Sequence, residues 1–318
     1  MSITATAPGK VILFGEHAVV YGQPAIAIPV SQVRARATVV AGPQMGVRLV
    51  APDLGVEKLL FEEDRDDALA TAVYLVKAAT NLTHLPDMTI TVSSDIPIAS
   101  GLGSGAAIAA AAIRAVTQFV GYGHLLSNEW VSAMTYEVEK IHHGTPSGID
   151  NTVVTYEQPV YFVRQQPYNR IETFSVAKPL TLLVADTGVR SSTREVVGDV
   201  RRQWEADPAR FETLFAACGR IAVAARQAIE QGATAQLGKL MQENQAVLQE
   251  MTVSSPELER LVAAALAAGA VGAKLSGAGR GGNMIALLAD GEDEGGKTAV
   301  SQALIAAGAK NVLTTVLQ

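Results

Sequence analysis

The chain has 318 residues, 48% hydrophobic and 18% charged, enough apolar material for a full core and about two domains, which excludes a disordered or fibrous protein. A net charge of -6 and a pI near 5.5 argue against a general binder of nucleic acid or of an anionic membrane, but leave room for a small anion in a local basic pocket. One cysteine, Cys218, excludes an internal disulfide and a cysteine-clustered zinc site, so the chain reads as cytosolic.

Alternation predicts strands over Ile3–Ala7, Lys10–Phe14 and Val33–Val40, the first two leading to Glu16 and His17 rather than to a signal-peptide core. Helical spacing predicts a helix over Asp67–Ala79, then comes a strand over Met88–Val92 and an alanine-dense helix over Gly105–Val120, closed by Gly121. A helix over Glu129–Ile141 places Trp130, Met134, Val138 and Ile141 on one stripe. The polar stretch Arg164–Ser175 divides the chain into residues 1–168 and 169–318. Beyond it come a strand at Leu180–Ala185, helices near Val196–Glu205, Phe211–Glu230 and Ala233–Val253, another from Pro256, and a strand at Met284–Ala289. The run Leu261–Ala273 is the most apolar, and it is too short to cross a bilayer. Strands and helices mix without a regular βαβ alternation, so the class is α+β.

Four segments carry residues suited to chemistry. In Ser93–Ala107, Gly101, Gly103 and Gly105 open the alanine-rich helix, where free backbone N–H groups and the helix dipole favour an anion such as phosphate. No Gly-Lys-Ser/Thr follows, which excludes a Walker loop. The nominal dinucleotide spelling from Gly101 to Ala106 lacks an immediately preceding strand and an acid some 20 residues on. A glycine-rich connection without a ligand remains the alternative. A second cluster, Lys274–Asn283, is either a tight hairpin-like turn or a backbone that must approach something closely.

In Ala7–Gly22, Lys10 and the pair Glu16–His17 flank an apolar strand, reading either as a solvent-facing loop or as contacts to a polar substrate. In Tyr136–Asn151, Glu137 and Glu139 point about 100° to either side of Val138, so at most one serves a given site. His142 and His143 diverge likewise and make no chelating pair. Gly144, Pro146 and Gly148 shape a loop ending in Asp150, a positioned carboxylate.

In this order, the four segments resemble the GHMP family of small-molecule kinases, and within it the mevalonate kinases. Pro97-Ile-Ala-Ser-Gly-Leu-Gly-Ser104 is similar to the family's ATP-phosphate loop, Lys274–Gly279 to its C-terminal glycine turn, and APGKVILFGEHAVVYG and GTPSGIDN to the mevalonate branch. The resemblance implies a two-domain fold, with an N-terminal domain like ribosomal protein S5 domain 2 and a ferredoxin-like C-terminal domain. It implies transfer of the ATP γ-phosphoryl to the C5 hydroxyl of mevalonate with Mg²⁺, and a homodimer in the cytoplasm.

Matched position by position, Asp150 falls on the catalytic base and Lys10 on its cationic neighbour. Pro97, Ala99, Ser100, Gly101, Leu102, Gly103, Ser104, Gly105 and Ala106 fall on the nucleotide loop. Glu16, His17, Thr193, Gly277 and Ala278 fall on the substrate side, and Glu139 on the Mg²⁺ carboxylate. The family usually has a second serine where this chain has Gly105, so either Ser104 supplies the metal hydroxyl or a water does. Arg280 stands where many relatives have glycine, as a phosphate contact or, the expectation here, pointing to solvent.

Overall fold

The structure, a computed structural model, describes residues 2–42, 46–64, 66–97, 101–143, 146–291 and 294–318. The chain forms two compact units, Met1–Lys10 with Pro29–Glu157, and Val11–Ile28 with Gln158–Gln318. It passes from one unit to the other after residues 10, 28 and 157.

The first strand, β1 (Ser2–Phe14), is continuous where the sequence suggests two short ones. It pairs with β2 (Ala25–Ala41) and lies off the main strand path, a position in which Pro8 and Gly9 are tolerated. In the first unit, β3 (Val47–Ala51), β4 (Val56–Leu60) and β5 (Met88–Ser94) give the order β4-β3-β5-β2. The β3–β5 pair is parallel, and β4 with helix α1 (Ala68–Ala79) supplies the crossover such a pair requires. Asp67 caps α1, its carboxylate accepting the Leu69 and Ala70 N–H groups at 2.8 and 2.9 Å.

Helix α2 (Ser104–Phe119) is the centre of this unit and packs against α1, α3 (Asn128–His143) and α4 (Ile149–Tyr156). Its alanines at 106, 107, 109–112 and 115 are all buried, and side chains this small let three helices approach one axis closely. The expected loop through Asp150 is corrected here. Gly148, with φ 92°, turns the chain directly into α4, and Asp150 stands in that helix's first turn.

In the second unit, β6 (Val160–Val163) pairs with Ala25–Ala27 of β2 and with β7 (Arg170–Thr173). A separate sheet contains β8 (Leu180–Asp186), β9 (Gly272–Ser276), β10 (Asn283–Leu287) and β11 (Asn311–Leu317), all antiparallel, in the order β11-β8-β10-β9. Numbered by appearance, this is the 4-1-3-2 order of the split βαβ, ferredoxin-like sheet. Helices α5 (Thr193–Ala206), α6 (Pro208–Gln231), α7 (Thr234–Glu250) and α8 (Pro256–Ala267) intervene between β8 and β9, and α9 (Glu294–Ala306) between β10 and β11.

Ser192, Asp207 and Ser255 cap α5, α6 and α8, with proline at the first position of the latter two; fixed φ and a missing N–H suit that position. Leu183, Leu275, Met284, Phe211, Phe215, Leu248, Leu261 and Leu304 build the core between sheet and helices. Tyr21 stacks on Phe215 with ring centroids 4.0 Å apart. Among the described residues no helix is long and apolar enough to cross a membrane.

Candidate active site

In the first unit three charged residues meet beside the glycine loop. Lys10, within β1, is buried, and its Nζ lies 3.0 Å from Asp150 Oδ1. The loop holds it there: the Lys10 N–H donates to Leu102 O at 2.8 Å. Gly103 caps α2 with φ 70°, and a Cβ on it would stand 2.7 Å from Lys10 Cγ. A side chain at 103 would therefore be strained and would displace the lysine.

Asp150 is placed by its neighbours. Asn151 Nδ2 donates to Ser132 O and Oγ at 3.1 and 2.9 Å, fastening α4 to α3. Thr152 Oγ1 donates to Gly148 O at 2.7 Å and tightens the first turn. A carboxylate in that turn is also favoured by the helix dipole.

The buried face of α3 is Val131, Ser132, Thr135, Val138 and Glu139, while Trp130, Met134 and Ile141 are only half buried. The stripe is thus rotated from the one the apolar residues alone suggest, because serine, threonine and glutamate share its centre. Glu137 is exposed and pairs with Lys140 at 2.6 Å, so the structure selects Glu139 as the inward carboxylate. Burial, then the nearby Asp150 charge, raise the Glu139 pKa to about 7 against the opposing pull of Lys10. A Cβ at Gly105 would stand 3.4 Å from Glu139 Oε1, so the start of α2 and this carboxylate face one small space.

In the second unit the residues matched to the substrate side divide. Glu16 is sealed: its side chain and that of Lys274 are fully buried, and they form an ion pair. Lys274 Nζ also donates to Leu275 O at 2.6 Å, and Glu16 accepts a backbone bond from Gly277. Burial pushes the Glu16 carboxyl up and the Lys274 amine down, with their mutual attraction opposing both. Glu16 therefore presents no surface to a solute, which corrects its expected place in direct substrate contact.

His17 Nε2 lies 2.8 Å from Ala278 O. Burial lowers its pKa and the Arg280 charge adds to this, with the Ala278 bond opposing. Ser276 Oγ donates to Ile12 O at 2.7 Å, so the end of β9 is fastened to residues 12–17 at several points. Thr193 is exposed at the start of α5, and Gly277 and Ala278 form the turn after β9. The cluster from Lys274 is thus part strand and part hairpin turn, with Ser276 opposite Asn283.

Arg280 does not point freely to solvent. Its guanidinium pairs with Asp199 on α5, and its Nε donates to Thr252 O at 3.2 Å. Pro97 is half buried at the edge of the described loop, whereas Ala99, Ser100 and the side chains of His142 and His143 lie outside the described residues. Leu102 and Ala106 are buried, Gly103 and Ser104 half buried, and Gly101 and Gly105 exposed.

Lys274 is the charged residue that sequence reasoning left without a role. Its one signal was a lysine inside the otherwise apolar run Val271–Leu275; its partner lies 258 positions away.

The models of the GHMP kinase N-terminal and C-terminal domains match residues 68–158 and 225–310. The mevalonate kinase of Thermococcus onnurineus is 33% identical, over 99% of this chain and 96% of its own. The chain belongs to the GHMP kinases. The mevalonate kinase of Aeropyrum pernix is 38% identical over 93% of this GHMP kinase and 91% of its own length. Among solved structures, L. major mevalonate kinase in complex with R-mevalonate superposes with a TM-score of 0.84 and 30% identity, covering 99% of this GHMP kinase and 95% of its own chain.

Proposed function

We propose that this kinase transfers the γ-phosphoryl group of ATP to the C5 hydroxyl of mevalonate, giving 5-phosphomevalonate. The observation that carries the reading is the Lys10–Asp150 pair at 3.0 Å beside the uncapped start of α2. Phosphoryl transfer asks little covalent chemistry of a protein; it asks for positioning and for opposite charge where charge develops.

Asp150 accepts the proton of the C5 hydroxyl as that oxygen attacks. Lys10 lies against Asp150 and offers positive charge to the developing transition state. The backbone from Gly101 to Ala106 receives the phosphates at the α2 N-terminus. The family resemblance assigns Pro97, Ala99 and Ser100 to that loop as well, and His17, Thr193, Gly277 and Ala278 to recognition of the acceptor.

The residues present fit a divalent cation. Two carboxylates, Glu139 and Asp150, share one lysine, and their mutual repulsion helps hold the Glu139 proton to near neutral pH. Glu139, with Ser104 or a water, would hold Mg²⁺. Bound there, the ion neutralises the phosphate charge and keeps several non-protein oxygen ligands. Gly105 leaves the space beside Glu139 Oε1 that such a water needs.

An ADP-release assay with Mg-ATP against mevalonate, phosphomevalonate, homoserine and galactose tests the reading, with phosphorus NMR of the product. Turnover on mevalonate, with the product phosphorus coupled to the C5 methylene, is the expected result. Turnover confined to another acceptor, or absent at millimolar mevalonate, overturns it.

A further inference from the structure

We propose that Arg280 is a positioning residue: it latches the glycine turn between β9 and β10 onto α5, and thereby sets affinity on the acceptor side, where Thr193, Gly277 and Ala278 stand. Two residues other than glycine adopt left-handed backbone at this contact, Arg280 with φ 56° and Thr252 with φ 61°. For a β-branched threonine such a conformation is a genuine outlier, and strain of this kind persists only where its surroundings enforce it.

The surroundings here are polar and converge on α5. The Arg280 guanidinium reaches Asp199 of α5 and Thr252 O, and its own N–H donates to Val253 O at 2.7 Å. Thr252 Oγ1 accepts from Gln203 Nε2, also of α5, at 3.0 Å. The segment leading into α5 is tied to the same turn, Ser191 Oγ donating to Gly279 O at 2.7 Å and the Gly282 N–H to Val189 O at 2.8 Å. Helix α5 fully buries Val196 and Val200, and Trp204, nearer its far end, packs half-buried against Tyr21 and the core, so the end that carries Thr193 depends more on these polar ties.

Stability does not account for Arg280. The Arg280 and Asp199 side chains are 34% and 29% exposed, and an ion pair so open to water returns less than a left-handed non-glycine residue costs. Glycine would serve the turn better. What arginine adds is a fixed distance between the turn and the helix that carries Thr193.

The test uses Arg280→Gly, Arg280→Lys, Asp199→Asn and the double variant Arg280→Gly/Asp199→Asn. Read-outs are hydrogen exchange over residues 193–203, thermal midpoint, and KM for ATP and for mevalonate. The latch predicts that Arg280→Gly keeps or raises the midpoint, speeds exchange in α5, and raises KM for mevalonate about fivefold. KM for ATP and kcat should stay near wild type. Asp199→Asn should reproduce the exchange and KM effects without any gain in midpoint, Arg280→Lys should fall between, and the double variant should be no worse in exchange and KM than either single.

A lowered midpoint with both KM values rising together would mean a merely structural role and overturn the proposal, as would unchanged exchange or additive effects. The kinetic half rests on the mevalonate reading: a wild-type enzyme that ignores mevalonate overturns that reading and this half with it. The exchange measurement decides the latch regardless. Should Arg280→Gly fail to fold, Asp199→Asn and Arg280→Lys carry the same comparison.

Discussion

Among the described residues two buried lysines each pair with a carboxylate, and their surroundings tell the two pairs apart. Lys10 and Asp150 keep 11% and 30% of their side-chain surface open, with the second acid, Glu139, close by. Lys274 and Glu16 keep none, and each is the other's main partner. The first group carries excess negative charge next to an uncapped helix start, so it has something to offer a cation and a proton to accept. The second is neutral as a pair and sealed, so it acts on the backbone around it. Access and uncompensated charge, rather than the presence of a pair, mark the reacting group.

The largest effect that would break this comparison is on turnover. Asp150→Asn should lower kcat by roughly 10²–10⁴, the usual worth of a positioned general base, and leave the thermal midpoint close to wild type. A variant that retains most of kcat would remove Asp150 from the chemistry.

The sealed pair should respond the other way round. Glu16→Gln or Lys274→Met alone should cost about 3–5 kcal/mol in urea unfolding, because each leaves a buried charge without its partner. The combined variant should recover most of that loss. Equal losses in the single and combined variants would show that the pair is not a unit.

The Lys10 and Lys274 environments also show what a sequence carries. The glycine loop was legible as a helix start and the two glutamates as a 100° step that lets only one face a site, whereas Lys10 and the choice of Glu139 came from the family resemblance. Helices α5 and α6 were legible as stretches and α8 from Pro256 at its start, whereas the caps Ser192, Asp207 and Ser255 come from the structure.

Strands β3 and β4 were not, since β4 exposes Val56, Leu59 and its charged neighbours alike and shows no inward face. Helix α4 was hidden by the Pro-Ser-Gly that precedes it, and α9 by the glycine and acid at its start. The burial of Glu16 was invisible for a different reason: nothing near Glu16 in sequence signals a lysine 258 residues later.

The smallest expected effect sharpens the comparison with a third lysine–acid pair, at the surface. Asp67 accepts two N–H groups at the start of α1 and pairs with Lys58. Burial works against its charge, yet the Lys58 and backbone bonds together hold its pKa below the ordinary 3.8. A depressed carboxylate stabilises above its unfolded pKa and loses that contribution as pH falls through its folded one. Asp67→Ala should therefore cost about 1 kcal/mol at neutral pH, with the part of that difference due to charge lost below the folded pKa and the share of the neutral cap remaining. Asp67→Asn, which keeps the cap, should cost less. A difference unchanged down to acid pH would remove the charge from the account.

The passage of the chain between its units after residues 10, 28 and 157 bears on how the protein is made. Residues 11–28 emerge early from the ribosome, but Glu16 must wait for Lys274, 258 residues later. At roughly 5–20 residues per second that wait is about 13–50 seconds. For the later part of it a nascent chain whose first unit is complete at Glu157 carries Val11–Ile28 as an unfinished insert, apolar and with Glu16 still unpaired. Such a segment is a natural client for a chaperone. For the same reason, neither unit can be expressed as a simple stretch of the gene.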